Sequence, residues 1–490
     1  MNTFTKKSLH VALAGLGTLG LVGAADAVMV NPNGLGQVLI YPYYTVRSPA
    51  GAGVANYNTL LSIVNTTSSQ KAVKVRFREG KASKEVLDFN VFLSPRDMWT
   101  AAVEPDGAGG AQIETTDTTC TIPSFLPGVP VKFRTGAFDG DIIGEQGSKE
   151  SDADWKARSL DRLTEGYFEV FEMATYDKAD ALSVGAKHSK GVPKDCAAVT
   201  NAAAALAPLA PNGGLFGGAT LINVLTGDAF TEDATALIEF TTVGSYFDTG
   251  SPNPTWTQAN PSNGAAVTAS GAIVTGIFGT GTLDPEKAVT MALQKKTVAN
   301  EFVLEASTLS GTDWVLTFPT KHALVDELSF TPPFSHVLSD TGSCDGAVLS
   351  TWDREETPVT PGGPDFSPSP TPAGFALCWE SNIISFKNAK ASNLANVLGS
   401  ANSYTVNTGF TSGWANLGFT ATAINIASSG VTWDPTTLVG PTGGSTTFSG
   451  LPTIGFAVQT FVNGTLSDSA GKLVQSSYGG NFGHRYTGPQ

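Results

Sequence analysis

The sequence predicts a mainly β protein: an elaborated antiparallel β-sandwich, Ig-like or jelly-roll-like, with a few short helices and long loops. Three observations carry this. Apolar and polar residues alternate with a period of two, most clearly where Val73, Val75 and Phe77 interleave with Lys74, Arg76 and Arg78. That period sends successive side chains to opposite faces of a strand. Such runs recur at short, turn-separated intervals, as sandwiches and barrels require and βαβ units do not. Glycine is plentiful, at 54 residues, while charged residues make up only 15%, a composition of turns rather than of disorder.

In chain order, the first element reads as an export signal, residues 1–27. Lys6 and Lys7 precede an apolar stretch from Leu9 to Val22, and Ala25-Asp26-Ala27 offers small residues where a signal peptidase reads. Cleavage after Ala27 leaves Val28 as the first mature residue. The stretch is shorter than the ~20 apolar residues that cross a bilayer, and no cysteine stands nearby to take a lipid. Gly15-Leu16-Gly17-Thr18-Leu19-Gly20 matches the dinucleotide fingerprint, but it lies inside the signal and outside any βαβ unit, so it is discarded.

Strands are then expected at Gln37–Val46, Leu60–Val64, Val73–Phe77, Leu87–Leu93, Met98–Val103 and Gly166–Tyr176. From Glu104 to Arg162 the pattern weakens into glycine, threonine and acidic residues. Asp195–Leu206 is an alanine-rich helix. Leu283–Asn300 is the best helix, with Asp284 as cap, Pro285 in the first turn and Val289, Leu293 and Val298 on one face. Strands return at Ala219–Leu225, Thr235–Thr242, Trp314–Phe318, Ala376–Phe386 and Thr453–Val462, where Asn463-Gly464 marks a tight turn before Leu466. The proline-rich loop 353–374 favours an extended path. The mature chain divides into β-rich parts at 28–205 and 206–490, or forms one composite domain.

Four cysteines, Cys120, Cys196, Cys344 and Cys378, are an even number in an exported chain, hence two disulfides, with neighbours favouring Cys120–Cys196 and Cys344–Cys378. Without C-x-x-C there is no zinc knuckle. The formal charge is −14; without Lys6, Lys7 and Asp26, 27 basic residues face 42 acidic ones. That surface repels phosphate backbones and disfavours nucleic acid. The basic stretch Lys71–Lys84 reads as the wet face of a strand. Acidic, hydroxyl-rich and sulfur-poor, the composition is similar to that of bacterial surface-layer and matrix proteins.

Chemistry-bearing patterns are sparse. His188, His322, His336 and His484 form no H-E-x-x-H, and G-x-S-x-G is missing. His322, just past a strand, is the first suspect for a triad assembled in space. Glu169 and Glu172 point to opposite faces of a strand, and Glu355-Glu356 sits in the proline-rich loop, so neither pair suits a glycosidase. Asp139, Asp141 and Glu145 could hold calcium, though without EF-hand spacing. No cofactor is called for. Trp256, Trp352, Trp414 and Trp433 stand in turn-like stretches where indole faces can stack on sugars. A porin is disfavoured by irregular strands and an ending, Gly488-Pro489-Gln490, without an aromatic.

Longer phrases carry a resemblance: VLDFNVFLSP at Val86–Pro95, WVLTFPTK at Trp314–Lys321, LPTIGFAVQTFVNGT at Leu451–Thr465, and SYGGNFGHR at Ser477–Arg485. Together they resemble a family of exported proteobacterial cell-surface proteins across nearly the whole mature chain. The resemblance implies location and carries no activity or catalytic residues. The expectation is therefore a non-enzymatic extracellular or cell-surface structural protein, with the periplasm as the other location. It would self-associate or bind cell-surface components through strand edges at Val28–Gln37 and Gly479–Gln490. A carbohydrate-binding module or a secreted hydrolase is the alternative.

Overall fold

Runs of β-branched and aromatic residues, which fit a pleated surface best, form two sandwiches in series. The computed structural model describes residues 27–489 apart from 50–55, 360–374, 389–392, 421–437, 440–444 and scattered single or paired residues. Residues 1–26 of the expected export signal, Glu145, Trp433 and most of the proline-rich loop fall outside the described residues. The first sandwich is built from β1 (Val38–Thr45), β2 (Tyr57–Asn65), β3 (Gln70–Glu79), β4 (Glu85–Leu93), β5 (Met98–Pro105), β6 (Ala111–Glu114), β7 (Glu165–Tyr176), β8 (Gly218–Asn223), β9 (Ala229–Asp233) and β10 (Thr235–Ile238). One sheet runs Met29–Val30, β10, β1, β7, β3, β4, Thr121–Ile122; the other runs β9, β8, β2, β5, β6, Val131–Lys132. Between them lies a core that includes Tyr41, Ile63, Val75, Phe77, Trp99 and Phe168.

The second sandwich uses β11 (Thr297–Val303), β12 (Gly311–Thr317), β13 (Asp345–Asp353), β14 (Ser381–Asn388), β15 (Ser403–Thr408), β16 (Ser412–Phe419), β17 (Ile454–Ser467) and β18 (Leu473–Gly483). One sheet runs Pro358–Val359, β13, β16, β11, Arg485–Thr487; the other runs β15, β14, β12, β17, β18. Phe302, Trp314, Leu349, Phe386 and Leu417 fill its core. Named strand pairs are antiparallel apart from β14 and β15, which run parallel. A separate cluster, with Tyr43, Tyr57 and Phe230 from the first sandwich and Val315, Phe456 and Val458 from the second, joins the two. Polar links cross the same seam: Thr317 Oγ1 donates to Pro42 O at 2.6 Å, and Ser400 Oγ donates to Glu165 Oε2 at 2.6 Å.

Several expectations need correction. The division at 205/206 does not follow the sheets, because β8, β9 and β10 belong to the first sandwich. The helix expected over Leu283–Asn300 is α3 (Asp284–Leu293). It ends when Val298 is drawn into β11, where pairing with β16 outweighs helical propensity. A second helix, α2 (Cys196–Ala203), starts where expected, with Asp195 accepting from Ala198 N. Another, α1 (Asp152–Arg162), falls in the stretch read as weakly patterned; Ser151 caps it by accepting from Asp154 N. Asn463-Gly464 is no turn: β17 continues to Ser467 through a register shift between Val462 and Thr465.

The largest correction concerns the supposed wet face of β3. Lys71, Lys74 and Arg76 are wholly buried. Carboxylates from neighbouring elements meet them: Lys71 pairs with Glu172, Lys74 with Asp88, Arg76 with Glu85 and Arg78 with Glu169 at 2.9 Å. The segment around 247–254 covers the side that carries Lys74 and Arg76, with Asp248 O accepting from Lys74 Nζ at 2.8 Å, while Lys71, on the side of Val73 and Val75, donates to Asn212 Oδ1. Alternation located the strand correctly, but the polar side faces other protein instead of water.

The segments expected to connect through strand edges, Val28–Gln37 and Gly479–Gln490, contribute outermost strands to their sheets. Val28 N donates to Asn263 O at 2.8 Å, Met29–Val30 pairs with Leu237–Ile238, and Arg485–Thr487 pairs with Thr297–Ala299. The structure joins Cys120 to Cys196 and Cys344 to Cys378. No helix among the described residues is long and apolar enough to cross a membrane.

Candidate functional site

The outer face of the β13–β16–β11 sheet carries the most chemically expressive surface. Leu349, Ala415, Leu417 and Phe302 take the inner positions of these strands, so alternation sends Ser350, Trp352, Trp414 and Asn416 outward. Trp352 lies directly across from Trp414, and Trp414 directly across from Glu301. The two indoles stack with centroids 4.2 Å apart and planes 14° from parallel. Trp352 is half-buried, whereas Trp414 is 44% exposed. The strands can approach so closely because residue 413 is glycine: a Cβ there would meet Trp352 O at 1.9 Å. Beside the pair opens a cleft of about 600 Å³ lined by Glu301, Glu305, Asp353, Arg354, Ser412 and Trp414.

Such a site offers a flat π surface ringed by hydroxyl, carboxylate and guanidinium groups. Indole faces receive the C–H face of a sugar ring, while the polar rim bonds its hydroxyls. Of the four tryptophans singled out, the structure brings Trp352 and Trp414 together. It places Trp256 in the core, 1% exposed, against Phe171 and Phe240. A second concavity, of about 460 Å³, lies on the outer face of β2, β5 and β8. There Glu104 has its carboxyl held above the ordinary range by burial and by the neighbouring Glu114. No aromatic side chain lines it, so it lacks the stacking surface.

The histidines are placed separately. His322 Nδ1 lies 3.4 Å from Tyr167 Oη, and Tyr167 Oη lies 2.8 Å from Ser83 Oγ. Burial first, and the Arg78 and Arg76 cations next, hold the imidazole well below its usual pKa. Tyr167 thus separates His322 from Ser83, and Ser83 is itself buried, so the base–nucleophile contact of a triad is missing here. His484 is structural: Nε2 donates to Val315 O at 3.0 Å, Nδ1 lies 3.1 Å from Asn300 Nδ2, and burial lowers its pKa to about 4. His188 leans on Ser94 and Asp97.

Exposed His336 meets Ser335 Oγ at 2.8 Å, and the same hydroxyl donates to Asp345 Oδ1 at 3.0 Å. The serine therefore sits between imidazole and carboxylate, where a relay needs the imidazole in the middle. Glu169 and Glu172 serve Arg78 and Lys71 on opposite faces of β7. Glu355 and Glu356 are exposed. Asp141, one of the three residues nominated for calcium, is engaged by Arg162 at 2.8 Å. Among the described residues no three His, Cys, Asp or Glu side chains gather as metal ligands.

Sequence reasoning missed the pairing of Trp352 with Trp414, since the two strands meet only in the fold. The signal that could have found it was alternation in each strand, which puts both indoles opposite the core positions. Comparison of the chain with protein-family models, with curated proteins and with solved structures finds no match.

Proposed function

We propose that the chain is an exported, non-enzymatic carbohydrate-binding protein of the cell exterior, with the Trp352–Trp414 pair as its contact platform. The observation that carries this reading is a stacked indole pair left open to solvent on a sheet face above a cleft. A packing anchor of that size is ordinarily buried, as Trp99, Trp256 and Trp314 are here. Two disulfides fit an oxidising compartment outside the cytoplasm, and the resemblance to exported cell-surface proteins points the same way. Cell-surface glycans are then the partners, and the two-sandwich body holds the platform rigid.

The test is a glycan array followed by titration of the best ligand, read by tryptophan fluorescence. Wild type is expected to retain at least one class of oligosaccharide. Trp414→Ala should weaken that binding about tenfold or more, the equivalent of about 1.4 kcal/mol, with unchanged circular dichroism. An array without a retained glycan, or a Trp414→Ala variant that binds as well as wild type, overturns the proposal.

A further inference from the structure

Three carboxylates, those of Glu301, Glu305 and Asp353, line the cleft beside the indoles, against the single guanidinium of Arg354. Glu301 is exposed and lies across the β11–β16 ladder from Trp414, while Glu305 and Asp353 are half-buried. Asp353 sits one residue beyond Trp352 on β13, and its Oδ1 accepts from Glu355 N at 2.9 Å. With three acidic side chains lining it against one guanidinium, the cleft has a formal excess of negative charge next to an aromatic face. Both features act on the same ligand property. A π face attracts a cation, and a concave wall of one charge sign concentrates the opposite sign.

Resting on the carbohydrate-binding reading, we propose that this cleft selects cationic amino sugars: glucosamine units with a free, protonated amine. In this arrangement the apolar face of the pyranose ring covers Trp414, and the ammonium at the ring edge points to Glu301 and Glu305. N-acetylation removes the charge and with it the attraction. Uronic acids are repelled by the same carboxylates, and Arg354 alone does not offset three of them.

The experiment uses the full, disulfide-bonded chain and four hexasaccharides of matched length, built from glucosamine, N-acetylglucosamine, glucose and galacturonic acid. Each is titrated at low and at physiological salt. The glucosamine oligomer is expected to bind about tenfold tighter than the two neutral ones. That advantage should shrink with salt, as charge screening demands, and the galacturonate oligomer should bind weakest. In the Glu301→Gln/Glu305→Gln variant, affinity for the glucosamine oligomer should fall to that of its neutral counterparts. Equal binding of charged and neutral oligomers by wild type overturns charge selection and leaves carbohydrate binding standing. Failure of all four, together with an empty glycan array, sinks both.

Discussion

Single residues show how burial decides what a side chain can do. Glu380 is 4% exposed. Burial pushes its carboxyl up to about 8 against the opposing pull of Lys321, and burial raises Asp313, on the seam between the sandwiches, to about 6. Both values stand above those of an unfolded carboxyl, so the folded state holds protons that the unfolded state has released. The stability they contribute is complete below about pH 4 and is lost as pH rises through about 6 for Asp313 and about 8 for Glu380. We expect the melting temperature to fall between about pH 5 and about pH 8. Glu380→Gln, which keeps the shape and removes the charge, should flatten that fall and raise the melting temperature at the alkaline end by a few degrees. Calorimetry across the pH range decides; a variant that tracks wild type at every pH would show that Glu380 is not the group responsible. The stacked indole pair was only half visible from sequence. Trp352 and Trp414 stood among four tryptophans chosen for their turn-like surroundings, and nothing local distinguished them from buried Trp256.

At the scale of elements, periodicity was a good guide to where strands run and a poor one to what covers them. The alternation from Val73 to Arg78 located β3, yet the lysines and arginines there are matched by Asp88, Glu85 and Glu169 from β4 and β7. Those partners are remote in sequence, so a window of a dozen residues cannot reveal them. The same limit explains α3, whose last expected turn is taken by a strand partner more than a hundred residues away. Helix α1 was overlooked because its apolar face is thin, although Ser151 and Asp154 spell a cap in plain sequence. The Cys120–Cys196 bridge ties α2 to the strand Thr121–Ile122 at the edge of the first sheet and closes 76 residues of chain. Replacing both cysteines by serine should lower unfolding stability by about 2–4 kcal/mol, the usual return from constraining the unfolded chain. Urea unfolding of the oxidised protein and the variant measures it, and equal midpoints would mean that the bridge is energetically idle.

For the molecule as a whole, the seam between the sandwiches is the feature that sets behaviour. Each sandwich has its own filled core, and the seam adds a smaller cluster in which Phe230 packs near Tyr57 and against Gly479, where a Cβ would lie 2.4 Å from its ring. Truncating a buried phenylalanine costs about 3–5 kcal/mol, and at this position the loss falls on docking. Phe230→Ala should therefore separate the thermal unfolding of the two sandwiches into two resolved transitions. A single transition shifted downward would show that they melt as one unit. Two β-rich parts were legible in the sequence, but their border was not, because β8 to β10 complete sheets begun by strands far upstream. That wiring also governs the order in which the protein can be made. Met29 finds its partner in Ile238, and Thr297 finds one of its partners in Thr487. A chain emerging amino end first must hold Met29–Val30 unpaired until β10 has been synthesised, and cannot complete the sheet of β13, β16 and β11 until Thr487 has emerged. Contacts this distant in sequence make folding slow, so much of the chain must stay unpaired while the partners of its early strands are still being made.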